Sequence, residues 1–305
     1  MPWVGFEPTT SDLLESTSRR RFLYSACRRC NMNYLLLHSP TDSKSALIRA
    51  RVSDIKAEDI CYEAFAKYNF SEDSRSGWLK GRYPTPLVVL RPSANARIQS
   101  LCIRGAASEI TPPLIGPKLA YLTGVVLGDG HVKNYLRTSG YPHYAIIIEK
   151  RKTEYSAKFL PALISSIFGP APKIYFHRRK SDLVRISIAS KIIHRIFTNL
   201  LGFSAGKKSG EPVKHAKLWP DELKREFIAG LFDTDGGRSG NSYSLGSTSK
   251  QIIDFARDFL HGHGVRTKTY TQHFPTSDYW HLYVLQKDKM KFLDVIPVKN
   301  SSKFP

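Results

Sequence analysis

Apolar and polar residues recur along this chain in two periods, and the periods predict helices and strands in a repeated order. Residues 119–130 are mostly apolar or small, which predicts a buried helix. The elements predicted after it are a hairpin over residues 131–137 and 144–150, an amphipathic helix over 153–168, a second hairpin over 173–179 and 183–189, and a helix over 191–201.

The same order follows a second apolar helix at residues 225–236. Its counterparts are strands over 241–248, 265–274 and 279–286 and helices over 251–261 and 288–295. The first half therefore consists of helix, two strands, helix, two strands, helix, and the second half is interpreted as a copy of it, which is an internal repeat. The predicted fold class is α+β.

The two apolar helices are copies of one motif. Leu122-Thr-Gly-Val-Val-Leu-Gly-Asp-Gly130 matches Ile228-Ala-Gly-Leu-Phe-Asp-Thr-Asp-Gly236, so that Asp129 is equivalent to Asp235. The pair of motifs, with matching elements after each, resembles a single-chain LAGLIDADG homing endonuclease of the archaeal intron-encoded type over roughly residues 116–300. The resemblance implies two pseudo-symmetric αββαββα halves that form a DNA-binding β-saddle.

Small residues explain how the motif helices could meet. Gly124 and Gly128 share one helix face, as do Gly230 and Thr234, and small side chains let two backbones approach closely. The crossing would bring Asp129 and Asp235 together. Two carboxylates at two helix C-termini attract hard divalent cations, so Mg²⁺ or Mn²⁺ is the expected cofactor. The expected metal site consists of Asp129, Asp235, Gly128 and Thr234.

Basic residues beside the acids are expected to complete the catalytic site. By resemblance, Lys150, next to Glu149, takes the place of an active-site lysine in the first half, and Arg238 is its counterpart in the second. Asp233 is interpreted as a secondary acid, because Leu127 stands at its equivalent in the first copy.

The strands are expected to form the DNA-binding surface. Period two places one set of basic, aromatic and polar side chains on one face of each sheet. The predicted DNA-binding residues are Lys133, Arg137, Lys173, Tyr175, His177, Arg179, Arg185 and Ser187 in the first half and Arg266, Lys268, Tyr270, Gln272, His281 and Tyr283 in the second.

Charge supports a nucleic-acid partner. The 305 residues carry a formal net charge of +20. Residues 1–115 hold 16 Lys and Arg against 11 Asp and Glu, and residues 116–305 hold 30 against 15, so the surplus lies mainly in the repeated halves. No apolar run is long enough for a membrane helix. The 4 cysteines are few, and they favour a reducing, cytoplasmic location over a disulfide framework or a zinc site.

Five regions are expected along the chain. Residues 1–40 are expected to be disordered or a mis-assigned start, 41–90 a small helical module with the outline of a helix-turn-helix, 91–115 a linker, 116–220 the first half and 221–305 the second. Gly5-Phe-Glu-Pro8 can be encoded by the T-arm sequence of a transfer RNA gene, in which case Met32 is the start. The alternative is an arm that contacts phosphates.

The function hypothesis is a site-specific, double-strand DNA endonuclease that promotes intron mobility. Its partner would be double-stranded DNA with a long asymmetric site, bound by a monomer. The alternative is a non-cleaving protein on the same scaffold, either an RNA-binding intron maturase or a DNA-binding regulator. Both acids of the repeat, Asp129 and Asp235, are present, and this favours cleavage.

Overall fold

The computed structural model of the protein describes residue 37 and residues 42–90, 97–103, 109–136, 142–169, 172–176, 182–204 and 211–304. Most of residues 1–40, and with them the expectation for the start of the chain, lie outside the described residues. The same holds for Arg137, His177 and Arg179 and for the side chain of Tyr175.

The first described module combines a three-stranded antiparallel sheet with two short helices. Its elements are β1 (Ile48–Ser53), α1 (Tyr62–Lys67), α2 (Glu72–Leu79), β2 (Thr85–Pro86) and β3 (Arg97–Ile103), and the sheet order is β2-β1-β3. Ser71 caps α2, since its side chain accepts a hydrogen bond from the Ser74 nitrogen at 3.3 Å. Phe65 and Phe70 pack against buried Trp78 between the two helices.

The structure differs from the sequence-based prediction in this module. Residues 48–53 form a strand although a small helical module was expected over residues 41–90, and the linker expected over residues 91–115 contains β3. The reason is local period-two alternation. Ile48 and Ala50 point into the core, and β1 pairs with β3 from Ile48 opposite Ile103 to Ser53 opposite Arg97.

The first repeated half contains α3 (Pro117–Asp129), β4 (Gly130–Leu136), β5 (Pro142–Arg151), α4 (Leu160–Phe168), β6 (Lys173–Phe176), β7 (Leu183–Ala189) and α5 (Lys191–Arg195). A π-helical turn, Tyr155–Phe159, leads into α4, and another, Ile196–Leu200, extends α5. The strands form one antiparallel sheet in the order β4-β5-β7-β6.

The second half repeats this arrangement after a short helix, α6 (Glu211–Ala216). Its elements are α7 (Asp221–Asp235), β8 (Gly236–Ser239), β9 (Ser242–Ser247), α8 (Lys250–Gly262), β10 (Thr267–Phe274), β11 (Ser277–Val284) and α9 (Lys289–Val295). The sheet order β8-β9-β11-β10 matches that of the first half. The predicted α+β fold with two αββαββα halves is therefore confirmed. Within the described ranges, no helix is long and apolar enough to cross a membrane.

The two motif helices, α3 and α7, cross in direct backbone contact at the centre of the molecule. A Cβ atom built on Gly124 would lie 3.0 Å from the Leu231 nitrogen and closer still to the Phe227 carbonyl oxygen. A Cβ atom on Gly230 would lie 2.9 Å from the Val125 nitrogen. Only glycine fits at these two positions, because neither backbone can move aside without separating the helices.

The first module packs on the repeated halves. Leu37, Ile48 and Leu101 belong to the same buried apolar cluster as the motif helices. Asp42 forms an ion-pair network with two basic residues of α5: Lys191 Nζ lies 2.8 Å from its Oδ1, and Arg195 Nη2 also lies 2.8 Å from Oδ1. The three side chains are 7–12% exposed, so this network is a buried attachment point of the module.

His194 lies between these two basic residues on the buried side of α5. It is 5% exposed, and neither ring nitrogen has a hydrogen-bond partner among the described residues. Its ring centroid lies 5.2 Å from that of Tyr144. Burial, followed by the charge of Arg195, lowers the pKa of His194 to about 4, so the folded protein holds this imidazole neutral.

The helix crossing generates the first prediction. Gly230→Ala should lower the free energy of unfolding by about 3 kcal/mol or more, because its methyl group would meet backbone atoms that cannot move aside. Gly262→Ala is the matched control, since a Cβ there meets nothing within 4 Å. Urea unfolding of both variants checks this, and equal stability of the two would contradict close contact between the helices.

The second prediction concerns acid sensitivity. The unfolded chain protonates His194 near its ordinary pKa of about 6.5, whereas the folded protein does so only near pH 4, so stability is lost as pH falls between these values. Both proteins are compared by the fall in their free energy of unfolding between pH 7 and pH 4.5. This fall should be about 2.5 kcal/mol larger for the wild type than for His194→Phe. The exposed His131→Phe variant should follow the wild type. Parallel pH profiles for wild type and His194→Phe would contradict the assignment.

Candidate active site

Asp129 and Asp235 end the two motif helices on the same side of the crossing. The Asp235 Cγ lies 3.5 Å from the position of a Cβ built on Gly128, the residue before Asp129. Each aspartate is followed directly by the glycine that begins a strand, Gly130 in β4 and Gly236 in β8. The structure thus brings together the C-terminal ends of the two motif helices, each with an aspartate at the negative end of a helix dipole, although the two aspartates are 106 positions apart in the sequence.

The charges of both aspartates shift the pKa values of two further side chains, Tyr279 and Lys303. Burial, and then the negative charges of Asp235 and Asp129, raise the pKa of the Tyr279 phenol. Burial and the charge of Lys150 lower the pKa of Lys303 to about 8, against the opposing effect of Asp129, Asp235 and Asp233. A phenol and an ammonium that both respond to both aspartates lie in one shared electrostatic site.

Lys150 comes from β5 of the first half. It opposes Val184 on β7, and its side chain points inward like that of Ile148. The ammonium donates hydrogen bonds to the Asp129 carboxylate and, at 3.2 Å, to the Thr234 carbonyl oxygen. The Lys150 side chain is 11% exposed and that of Asp129 is 26% exposed, so the pair is largely buried but still reached by solvent.

The second half has no lysine at the equivalent strand position. The motif glycines Gly130 and Gly236 pair with Ile148 on β5 and Leu245 on β9, so these two positions are equivalent. Lys150 lies two residues after Ile148, and the residue two after Leu245 is Ser247. Arg238, the residue predicted for this role, is exposed on β8, and its Nε donates to the Gly240 carbonyl oxygen at 3.0 Å. Its catalytic role stays a prediction.

Lys303 is a site residue that the sequence-based prediction missed, as is Tyr279. Its ammonium donates to the Thr234 carbonyl oxygen and, at 2.6 Å, to that of Gly236, on either side of Asp235. Two ammonium groups, from Lys150 and Lys303, thus meet at the carbonyl group of Thr234. Lys303 stands in a turn after α9, outside both motifs and outside any periodic segment, and its one sequence signal is the neighbouring Phe304.

Asp233 is engaged within the protein rather than left open to a metal. It is fully buried, and its carboxylate accepts hydrogen bonds from the Tyr121 hydroxyl at 2.5 Å, the Lys299 nitrogen at 2.7 Å and the Asn300 nitrogen at 3.1 Å. Burial raises the pKa of Asp233, and these hydrogen bonds partly oppose the shift. Its surroundings are therefore those of a structural carboxylate.

The donor set fits a hard divalent cation. The Thr234 hydroxyl donates within its own helix, to the carbonyl oxygens of Gly230 at 2.7 Å and Leu231 at 3.0 Å, and the Thr234 carbonyl oxygen accepts from Lys150 and Lys303. The roles of Thr234 and Gly128 as metal ligands stay predictions. The described residues contain no cluster of three or more His, Cys, Asp or Glu that could hold a metal. Two carboxylates, backbone carbonyls and phosphate oxygens form an all-oxygen set of the kind that Mg²⁺ prefers.

The first sheet presents a polar face beside this site. Lys133 and Lys173 are exposed, and the pairing of Lys173 with Ser187 places both on one face. Arg185 opposes Glu149 across β5 and β7, and the two side chains form an ion pair at 44% and 37% exposure. The described first-half residues of the predicted DNA-binding set therefore share a face, with one guanidinium already paired to a carboxylate.

The second sheet carries a continuous polar and aromatic face. The cross-strand pairs are Lys268 with Tyr283, Tyr270 with His281 and Gln272 with Tyr279. The ring centroids of Tyr270 and Tyr283 lie 5.4 Å apart, and those of His281 and Tyr283 lie 5.9 Å apart. This set is half-exposed or exposed, as a surface that meets an extended partner must be.

Arg266 is paired within the protein, and its role in DNA binding stays a prediction. It lies just before β10, where its Nε and Nη2 each donate to the Asp288 carboxylate at 2.8 Å and its backbone nitrogen donates at 2.9 Å. These bonds lower the pKa of Asp288. A two-pronged ion pair of this kind fixes the start of the strand, while the Arg266 side chain is still 56% exposed.

Comparison with known proteins gives one family match and several similar structures. The model of the LAGLIDADG-like domain family matches residues 222–297. An uncharacterised protein of Methanocaldococcus jannaschii is 20% identical over 144 residues, which are 47% of this chain and 48% of that protein, so the chain spans about half the length of this relative.

The similar structures are homing endonucleases. A structure of mesophilic variants of the homing endonuclease I-DmoI is 18% identical with a TM-score of 0.49, over 60% of this chain and 96% of that chain. The homing endonuclease I-WcaI, bound to its DNA recognition sequence, is 14% identical with a TM-score of 0.44, over 62% of this chain and 84% of that chain. The family match covers α7, Asp235 and the strands that follow, and it confirms what the repeated motif indicated: this chain carries a LAGLIDADG-like domain.

Proposed function

We propose that this protein is a site-specific homing endonuclease, which cuts both strands of DNA with a divalent metal, Mg²⁺ or Mn²⁺, held by Asp129 and Asp235. The observation that carries the proposal is the convergence of these two carboxylates where the glycine-lined helices end. A protein that only binds nucleic acid gains nothing from two carboxylates beside the phosphates, because they repel a polyanion.

The residues around the acids have distinct tasks in this proposal. Asp129 and Asp235 hold the cation and orient water toward the scissile phosphates, one carboxylate for each strand. When bound, the cation lowers the pKa of water and stabilises charge on the leaving oxygen. Lys150 and Lys303 supply positive charge where negative charge develops, and a preformed ammonium needs no reorganisation during the reaction.

The two sheets supply the DNA-binding surface in the proposal. Their exposed lysines contact phosphates, and the aromatic and amide side chains of β10 and β11 face the base edges. The two halves carry different side chains on these faces, so a single chain would read a long, asymmetric site as a monomer. Residues 116–220 and 221–305 are the two DNA-binding halves of the proposal, and the first module is an accessory to them.

The third prediction tests the carboxylates. Asp129→Asn and Asp235→Asn should each lower the rate of double-strand cleavage by about 1000-fold, because an amide neither attracts the cation nor orients water as well. DNA affinity should stay equal or rise, since a negative charge near the phosphates is removed. The substrate is a library of linearised plasmids in which the two sequences that flank the reading frame are joined directly, without the reading frame between them. The cleavage product is measured with Mg²⁺ and with Mn²⁺.

The matched control is Asp258→Asn on the exposed face of α8, which should cut like the wild type. Full cleavage by either motif variant would show that the metal site is misassigned. Tight binding by the wild type without scission of any library member would favour the alternative, a non-cleaving RNA-binding intron maturase or DNA-binding regulator.

The fourth prediction tests the sheet faces through salt. Lys268→Met and Lys133→Met should each reduce the slope of log affinity against log salt concentration by about one, because each removes one phosphate contact. Lys158→Met, whose 77% exposed side chain lies on the helical side of the first half, should leave the slope unchanged. Fluorescence anisotropy across a salt series gives the slopes. Equal slopes for all three variants would place the DNA elsewhere.

A further inference from the structure

We infer that Asp233 is a positioning residue, which holds residues 299–304 against α7 so that Lys303 stays at the Thr234 and Gly236 carbonyl groups. This inference rests on the proposed nuclease function. The segment was not part of the repeated motif, and it reaches the site from the chain that follows α9.

One end of the segment is fixed by Asp233. The Asp233 carboxylate accepts hydrogen bonds from the backbone nitrogens of Lys299 and Asn300, and the Asn300 side-chain nitrogen donates to the Asp233 carbonyl oxygen at 3.2 Å. Asn300 is 2% exposed. Three hydrogen bonds to one residue fix both the position and the direction of the chain as it leaves α9.

The other end is fixed by packing. Phe304 is 7% exposed, and its ring centroid lies 4.9 Å from that of Tyr243 and 6.4 Å from that of Phe232. Between the two ends, the Lys303 nitrogen donates to the Asn300 carbonyl oxygen at 2.9 Å and closes a tight turn. Lys303 is therefore held on both sides, and its ammonium has few alternative positions.

The first half does not share this arrangement. Leu127 stands at the position equivalent to Asp233, is 2% exposed and offers no acceptor. The hydroxyl of Tyr121, on α3, crosses the helix interface to reach Asp233 and also lies 2.8 Å from the Tyr155 hydroxyl. The second half thus obtains its lysine from a docked segment, where the first half uses Lys150 on a strand.

The chemistry requires a carboxylate at this position. All three groups that approach its oxygens are donors: one hydroxyl and two backbone N–H groups. An amide has one acceptor oxygen and one NH₂ group, so Asp233→Asn would set a donor against a donor. The volume is unchanged, which makes this variant a direct test of the hydrogen bonds rather than of packing.

The experiment is a double-mutant cycle on the single-turnover cleavage rate at saturating DNA. Lys303→Met should lower the rate by about 100-fold, and Asp233→Asn by about 10-fold, with DNA affinity unchanged. If Asp233 acts through Lys303, the double variant should stay within about 3-fold of Lys303→Met alone. If the two effects multiply to about 1000-fold, Asp233 does not act through Lys303 and the inference is overturned.

A second measurement needs neither metal nor DNA. Hydrogen exchange of residues 299–304 should quicken by about 10-fold or more in Asp233→Asn, because the carboxylate that holds two of these amides is lost. Glu226→Gln is the control: Glu226 pairs with the Lys299 ammonium at 2.9 Å, outside the Asp233 contacts, and this variant should exchange and cut like the wild type. Unchanged exchange in Asp233→Asn would overturn the inference.

The two failures are distinguishable. If Asp129→Asn cuts at the wild-type rate, the proposed function fails whatever the cycle shows. If Asp129→Asn is inactive while Lys303→Met cuts normally, the proposed nuclease function is supported and the positioning role of Asp233 is overturned.

Discussion

The close crossing of α3 and α7 is the constraint on which the rest of the structure depends. Gly124 and Gly230 let each backbone touch the other, and the distance between the helices fixes the distance between the two aspartates at their ends. Because each strand begins one residue after its aspartate, the same crossing sets where the two sheets stand. One steric condition thus places both the proposed catalytic groups and the proposed DNA-binding faces.

In the proposed function, the charges of this site favour binding a cation and a polyanion together. Two carboxylates and two helix C-termini create negative potential, and the ammonium groups of Lys150 and Lys303, which meet at the Thr234 carbonyl group, partly balance it. These ammonium groups bond to the Asp129 carboxylate and to backbone carbonyls. A phosphate and a cation that bind together would give each set of charges an opposite partner, so the site would suit a metal-bound phosphodiester better than a cation or a phosphate alone.

The repeated pattern predicted most of the fold, because helices and strands each have a local period of apolar and polar residues. Both halves of the chain show these periods in the same order. The pairing of the motif aspartates was predictable for the same reason. Lys303 was not, since its position depends on a turn, on the buried Asp233 and on Phe304 packing, none of which has a period. The ion pair of Arg266 was not predictable either, because strand alternation does not show that Asp288, 22 residues later, accepts from its guanidinium.

In the proposed function, Asp129 and Asp235 share one cation site at the crossing of the motif helices. A crystal structure of the protein with Mn²⁺, with anomalous scattering used to locate the metal, tests this arrangement. We expect an anomalous peak between the two carboxylates, within about 2.5 Å of an oxygen from each. A peak elsewhere, or aspartates too far apart to share a metal, would show that the shared site does not exist.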